Sequence, residues 1–126
     1  MGSSQSVAAR VNTDAIQKDI TSNPVMVYSK KTCPFCTKAK NLLDEHSVKY
    51  TECDLTEFAK THSADEAAAL SNGLVYTSKM TSVPQIFICG KLVGGYTNLA
   101  ALAQSKDLLK RVEECTGENE KKAGWI

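Results

Sequence analysis

The chain has 126 residues, the size of one domain, and 42% of them are hydrophobic, enough for a single core. Fifteen Lys and Arg against 14 Asp and Glu leave a formal charge of +1, which gives no support to nucleic-acid binding as the main function. No apolar run approaches the ~18 residues that span a bilayer, and five cysteines are an odd number, too few for a secreted disulfide scaffold.

Met1 to Arg10 carries one charge and no apolar stretch of the signal-peptide kind, so a thiol-reducing compartment, the cytoplasm, is expected. Met1-Gly2 with Ser6 matches the N-myristoylation pattern, against the plainer reading of a polar leader. One acyl chain without a polybasic patch would give only weak membrane association. The acid-free, serine-rich start leaves organellar import open. Residues 1–12 are read as a flexible leader, 13–116 as the folded domain and 117–126 as a polar tail ending in Trp125-Ile126.

Thr13 to Ser22 reads as a short helix with Ile16 and Ile20 on one face, stopped by Asn23-Pro24. Val25 to Tyr28 is a buried strand. A loop, Ser29 to Thr32, leads to Cys33, and Pro34 opens a helix that runs to about His46 with Ala39, Leu42 and Leu43 at helical spacing. Val48 to Cys53 is a second strand. Ser63 and Glu66 form a capping box, and the Ala-rich helix after them is expected to run to about Leu70 and end at Asn72-Gly73. Gln85 to Ile88 and Lys91 to Val93 are strands joined by a Cys89-Gly90 turn. Gly94-Gly95 breaks the second of them, and Thr97 or Asn98 caps a last helical region that reaches Glu114. A helix between the first two strands implies a parallel crossover, and the two-residue turn implies an antiparallel hairpin. The fold class expected is α/β, thioredoxin-like, with a four-stranded mixed sheet flanked by helices.

Cys33-Pro34-Phe35-Cys36 is the strongest chemical signal. The thiolate is the reactive form of cysteine, and a helix N-terminus stabilises it through unpaired N–H groups and the positive end of the dipole. Lys30 and Lys31 add positive charge from the preceding loop. Cys33 is therefore the candidate nucleophile, and Cys36, one helical turn on, the candidate resolving thiol. A zinc half-site is the competing reading of a CxxC pair. It needs two further ligands at matching spacing, and the chain offers only His46, His62 and isolated cysteines, so no metal is expected.

Tyr28 to Cys36 resembles the active-site loop of the dithiol glutaredoxins, usually CPYC, with Phe35 in place of Tyr. Ser82 to Ile88 is similar to the family's TVPxIFI segment, and Gly94 to Asn98 to its GGxxD segment. The resemblance covers roughly Pro24 to Glu114. It implies a thioredoxin-fold enzyme that uses glutathione as co-substrate. Pro84 would be the cis proline facing the disulfide, and the Val83 backbone would pair with glutathione as with an added strand. The helix start at Thr97 and Asn98 would bind the γ-glutamyl carboxylate, and Lys30 the glycyl carboxylate. Phe35, Ser82, Gly95 and Tyr96 complete the glutathione-contacting set on the matching motifs. Asn98 stands where the family often has Asp, so the contact to the ligand's amine loses its charge. Thr81 stands where a basic or polar residue is common, with Lys79 as the candidate substitute.

The function expected from the resemblance is glutathione-dependent reduction of protein–glutathione mixed disulfides and protein disulfides through Cys33 and Cys36. The partners implied are glutathione, disulfide-bearing client proteins and, indirectly, glutathione reductase, with the enzyme a monomer and no nucleic acid involved. Alternatives are a glutathione-ligated iron–sulfur module and a thioredoxin-like reductase. Cys53 reads as a small hydrophobe at a strand end, Cys89 as a turn residue open to modification, and Cys115 as a candidate for an intermolecular or glutathione mixed disulfide.

Overall fold

The computed structural model describes residues 11–117. The Gly2 acylation pattern, most of the leader and tail, and Trp125-Ile126 lie outside the described residues.

Among the described residues ten elements follow one another: α1 (Thr13–Ser22), β1 (Val25–Ser29), α2 (Pro34–Glu45), β2 (Thr51–Asp54), α3 (Leu55–Thr61), α4 (Ala64–Ser78), β3 (Gln85–Ile88), β4 (Lys91–Gly94), α5 (Tyr96–Gln104) and α6 (Leu108–Thr116). The sheet order is β2-β1-β3-β4. β1 pairs parallel with β2 and antiparallel with β3, and β3 pairs antiparallel with β4. This is the expected four-stranded mixed sheet, with helices on both faces.

Alternation along the central strands divides the core in two, because successive side chains of a strand point to opposite faces. Val25, Val27, Ile86 and Ile88 meet Ala39 and Leu43 of α2, Leu99 of α5 and Leu108 of α6. Met26, Tyr28 and Phe87 meet Ile16 and Ile20 of α1 and Leu70 and Leu74 of α4. Each fully buried aliphatic or aromatic side chain contributes about 1.5–3 kcal/mol. The Tyr28 hydroxyl donates to Asp19 Oδ2 at 3.0 Å, which satisfies the one polar atom of that ring. Burial, followed by the Asp19 charge, raises the Tyr28 pKa far above that of an ordinary phenol. No helix among the described residues is long and apolar enough to cross a membrane.

Four local readings change. A helix the sequence reading missed, α3, is capped by Asp54, whose carboxylate accepts from the N–H groups of Thr56 at 2.8 Å and Glu57 at 3.2 Å. α4 continues through Asn72-Gly73 to Ser78 and ends at Lys79, in the left-handed conformation at φ 63°. α5 is capped by Gly95, one position ahead of its first residue Tyr96, so neither Thr97 nor Asn98 is the cap. The last helical region is two helices, separated by a break at which Lys106 has φ 65°.

Candidate active site

Cys33 is the N-cap of α2 in extended conformation, and Pro34 is at the first helical position, where its missing N–H removes nothing from the helix. The Cys33 Sγ accepts from the Cys36 backbone N–H at 3.1 Å. A donor that would otherwise be orphaned at the helix start is thus aimed at the sulfur. Cys33 and Cys36 are joined as a disulfide with Cα atoms 5.2 Å apart. Cys33 is half-buried and Cys36 is 1% exposed, so an external thiol or disulfide reaches Cys33 first.

The loop facing the pair is held from below. Gln85, 2% exposed, donates from Nε2 to the carbonyls of Met80 at 3.2 Å and Ser82 at 3.1 Å. The Val83–Pro84 peptide bond is cis, and the Val83 carbonyl oxygen lies 3.6 Å from Cys33 Sγ. A cleft of about 190 Å³ runs from this loop to the start of α5, lined by Phe35, Ser82, Val83, Pro84, Gly95, Tyr96 and Thr97, together with Met80. Phe35 and Tyr96 form one wall, with ring centroids 6.1 Å apart. Gly94 has φ 126°, and a Cβ there would run into the Asn98 amide, so this position requires glycine.

Lys30 and Asn98 lie outside the lining of the cleft. Lys30 is exposed at the end of β1. The Asn98 Oδ1 accepts from the Gly95 N–H at 3.1 Å, so its acceptor serves the start of α5. Lys31, expected to add positive charge near Cys33, instead pairs with Glu57 of α3 at 3.6 Å, and its backbone N–H donates to Thr56 Oγ1 at 3.1 Å. Lys79 does not enter the cleft, because its ammonium packs 4.7 Å from the Tyr76 ring centroid. A cation the sequence reading did not single out, Lys38, stands 5.1 Å from the Phe35 ring centroid and 6.0 Å from that of Tyr96. Its position one helical turn after Phe35 is the signal that could have placed it there.

Under α2, the fully buried Ser29 hydroxyl donates to Glu52 Oε2, and the Lys40 ammonium reaches the same oxygen at 2.9 Å. The Glu52 hydrogen bond is the main reason the Lys40 pKa is raised. The network ties the helix that carries Cys33 to β1 and β2.

Cys89 and Cys115 correct the sequence reading. Cys89 and Cys115 are joined in a second intrachain disulfide, with Cα atoms 5.4 Å apart. Neither is therefore a lone thiol, and the odd count leaves Cys53 unpaired. Burial, then the charges of Asp19, Asp54 and Glu52, push the Cys53 thiol up to about 11. With both disulfides intact, Cys53 should react with iodoacetamide at pH 8 about 100-fold more slowly than a free cysteine, because its thiolate fraction is that much smaller. Mass spectrometry of timed samples measures the rate. Because the folded-state pKa is raised, labelling should accelerate as pH climbs toward 11, and a rate already matching free cysteine at pH 8 would contradict this environment.

Comparison with known proteins agrees with the geometry. The Glutaredoxin family model matches residues 25–93, more than half of the chain. The chain is 37% identical over 99 residues to Glutaredoxin-1 of Rhizophagus irregularis, covering 79% of this chain and 92% of that protein. It is 32% identical over 117 residues to the mitochondrial Glutaredoxin-2 of Bos taurus, covering 91% of this chain and 69% of that protein. It is also similar to the crystal structure of a buckwheat glutaredoxin–glutathione complex, with a TM-score of 0.73, 26% identity, and coverage of 90% of this chain and 94% of that one. The chain belongs to the glutaredoxin family.

Proposed function

We propose that this glutaredoxin, a glutathione-dependent thiol–disulfide oxidoreductase, reduces protein–glutathione mixed disulfides and protein disulfides with Cys33 as nucleophile and Cys36 as resolving thiol. The observation that carries the reading is the helix-capping sulfur. Cys33 Sγ receives a backbone N–H at 3.1 Å at the positive end of α2, and lies 3.6 Å from the carbonyl of Val83, a residue that lines the cleft.

In the reduced enzyme, the Cys33 thiolate attacks the glutathione sulfur of a mixed disulfide. The Cys33–glutathione bond forms, the client's S–S bond breaks, and the client thiolate leaves and takes up a proton. A second glutathione thiolate then attacks the bound glutathione sulfur, giving oxidised glutathione and the Cys33 thiolate. With a protein disulfide, Cys33 forms a mixed disulfide with the client, and Cys36 displaces the client to close Cys33–Cys36. Two glutathiones reopen that bond.

Glutathione is assigned to the cleft. The Val83 backbone pairs with it, the first-turn N–H groups at Thr97 and Asn98 hold its γ-glutamyl carboxylate, and Phe35, Ser82, Pro84, Gly95 and Tyr96 enclose it. Lys30 swings in to meet the glycyl carboxylate. The neutral Asn98, its oxygen already committed to the Gly95 N–H, leaves the ligand's ammonium without an ion pair. The enzyme is proposed to work as a monomer in a thiol-reducing compartment. Relatives named mitochondrial and chloroplastic make an organelle as compatible with this as the cytoplasm.

The test is reduction of a glutathionylated peptide by glutathione, with glutathione reductase and NADPH recycling the oxidised product. Saturable, enzyme-dependent NADPH consumption is expected. Reduction supported by a thioredoxin reductase and not by glutathione would overturn the assignment.

A further inference from the structure

We propose that Cys89–Cys115 is a second thiol–disulfide site, opened by glutathione independently of Cys33–Cys36, and that it clamps α6 to the β3–β4 turn. The proposal takes from the preceding reading only its reductant, glutathione.

The first observation is where Cys89 sits. It is the first central residue of the two-residue turn between β3 and β4, with φ 54°, and Gly90 follows with φ 79°. Two successive positive φ values are the mark of the tight hairpin turn that selects Asn, Asp or Gly at its first position. Cysteine has neither a missing Cβ nor a side chain suited to this backbone. Turn formation therefore does not account for it, whereas the bond to Cys115 does.

The second observation is the distance between the two pairs along the sheet. Pro84, beside Cys33, precedes β3, and Cys89 follows its other end. Five residues of extended chain separate them by roughly 16 Å. The two pairs cannot exchange within one molecule, so the reductant of the second pair comes from solution.

The third observation is the asymmetry of the bond. Cys115 is exposed and Cys89 half-buried. Glutathione thiolate therefore attacks Cys115 Sγ, forming a Cys115–glutathione bond and expelling the Cys89 thiolate. Cys89 Sγ lies 3.1 Å from the Arg111 carbonyl oxygen and 3.5 Å from that of Val112. Once protonated, it can donate to either, which stabilises the open thiol. A second glutathione then attacks the bound glutathione sulfur and frees Cys115 as a thiol. The disulfide has gained two electrons and two glutathiones have become oxidised glutathione.

What opens follows from how little else holds α6. Its N-cap, Asp107, makes no side-chain cap hydrogen bond, and Leu108 is its one fully buried residue. Leu109 is 51% exposed. The ion pair from Lys91 to Glu114 spans 3.8 Å between exposed groups and contributes little. Below the helix lies a groove of about 480 Å³ whose lining includes Val25, Val48, Tyr50 and Val112. Opening the clamp loosens the end of α6 and admits water to this groove.

The test uses the Cys33→Ser/Cys36→Ser double variant, so that its outcome does not depend on the active site. Tagged under denaturing conditions, the oxidised variant should take one maleimide, on Cys53; treated first with excess glutathione, it should take three. Amide exchange over residues 108–117 should then speed up about tenfold or more, while β1 stays protected. Cys115→Ser in the otherwise native chain should exchange like the reduced variant and keep full turnover on glutathionylated peptide. Three tags before reduction would show that the pair does not form. One tag after reduction would show that glutathione cannot open it. Three tags with unchanged exchange would show that it clamps nothing. Each of these outcomes overturns the proposal and leaves the active-site assignment untouched.

Discussion

Replacing Cys33 with serine is expected to lower turnover on a glutathionylated peptide about a thousandfold or more, since the reaction loses its nucleophile. The same change should leave the fold intact. Cys33 is the N-cap of α2, and its sulfur accepts the Cys36 N–H at 3.1 Å. A serine hydroxyl is among the best acceptors for that position, so the melting temperature should match that of the reduced native enzyme while chemistry is lost. Cys36→Ser divides the two routes. The donor to Cys33 is the backbone N–H of residue 36, which the substitution keeps, so the Cys33 thiolate stays stabilised. Deglutathionylation should persist, because its second step uses glutathione. Reduction of a protein disulfide should collapse, because no buried thiol remains to displace the client. Retained turnover in Cys33→Ser would refute the nucleophile assignment.

Much of this site was legible in the sequence because its parts are local. A cysteine, a proline one residue on and apolar residues at helical spacing specify a capped helix whose sulfur meets its own first turn. The apolar strand runs, the two-residue turn and the glycine pair likewise depend on near neighbours. What escaped depends on residues far apart in the chain. Lys31 reads as a charge beside Cys33, yet Glu57 takes it, and Glu57 sits on α3, a helix hidden because its cap, Asp54, follows directly on the strand read as Val48 to Cys53. The Asp54/Glu57 spacing resembles an N-terminal helix signal. The pairing of Cys89 with Cys115 bridges 26 residues, and no local pattern announces it. The cleft depends on Gln85, whose amide holds the Met80–Ser82 loop, and a glutamine at the start of a strand carries no sign of that role.

Asn72-Gly73 reads as a helix stop for a related reason, since what demands glycine there lies far away in the chain. Glycine after a helical stretch normally marks its end, but Gly73 lies well inside α4 because α1 crosses it there. A Cβ on Gly73 would stand 2.6 Å from the Asn12 carbonyl oxygen, 2.9 Å from its carbon and 2.9 Å from Ile16 Cδ1. The Asn12 N–H donates to the Ala69 carbonyl at 2.9 Å, so the start of α1 is tied to α4 and cannot move away freely. In Gly73→Ala, helix propensity favours alanine by about 0.8–1.0 kcal/mol. Overpacking opposes it by about 1–3 kcal/mol, and stretching the Asn12–Ala69 hydrogen bond adds about 0.5–1.5 kcal/mol. The steric effect wins, because the obstacle is backbone, and a net loss of about 1–3 kcal/mol should lower the melting temperature by roughly 5–15 °C. Turnover measured well below that temperature should change little, since α1 and α4 cover the sheet face opposite α2 and α5. Ile16→Val, which removes Cδ1, supplies the finer test. Combined with Gly73→Ala, it should recover only a minor part of the loss, because the Asn12 carbonyl still stands in the way. Full recovery would mean that the Ile16 side chain, and not the backbone of α1, is what requires glycine at this crossing.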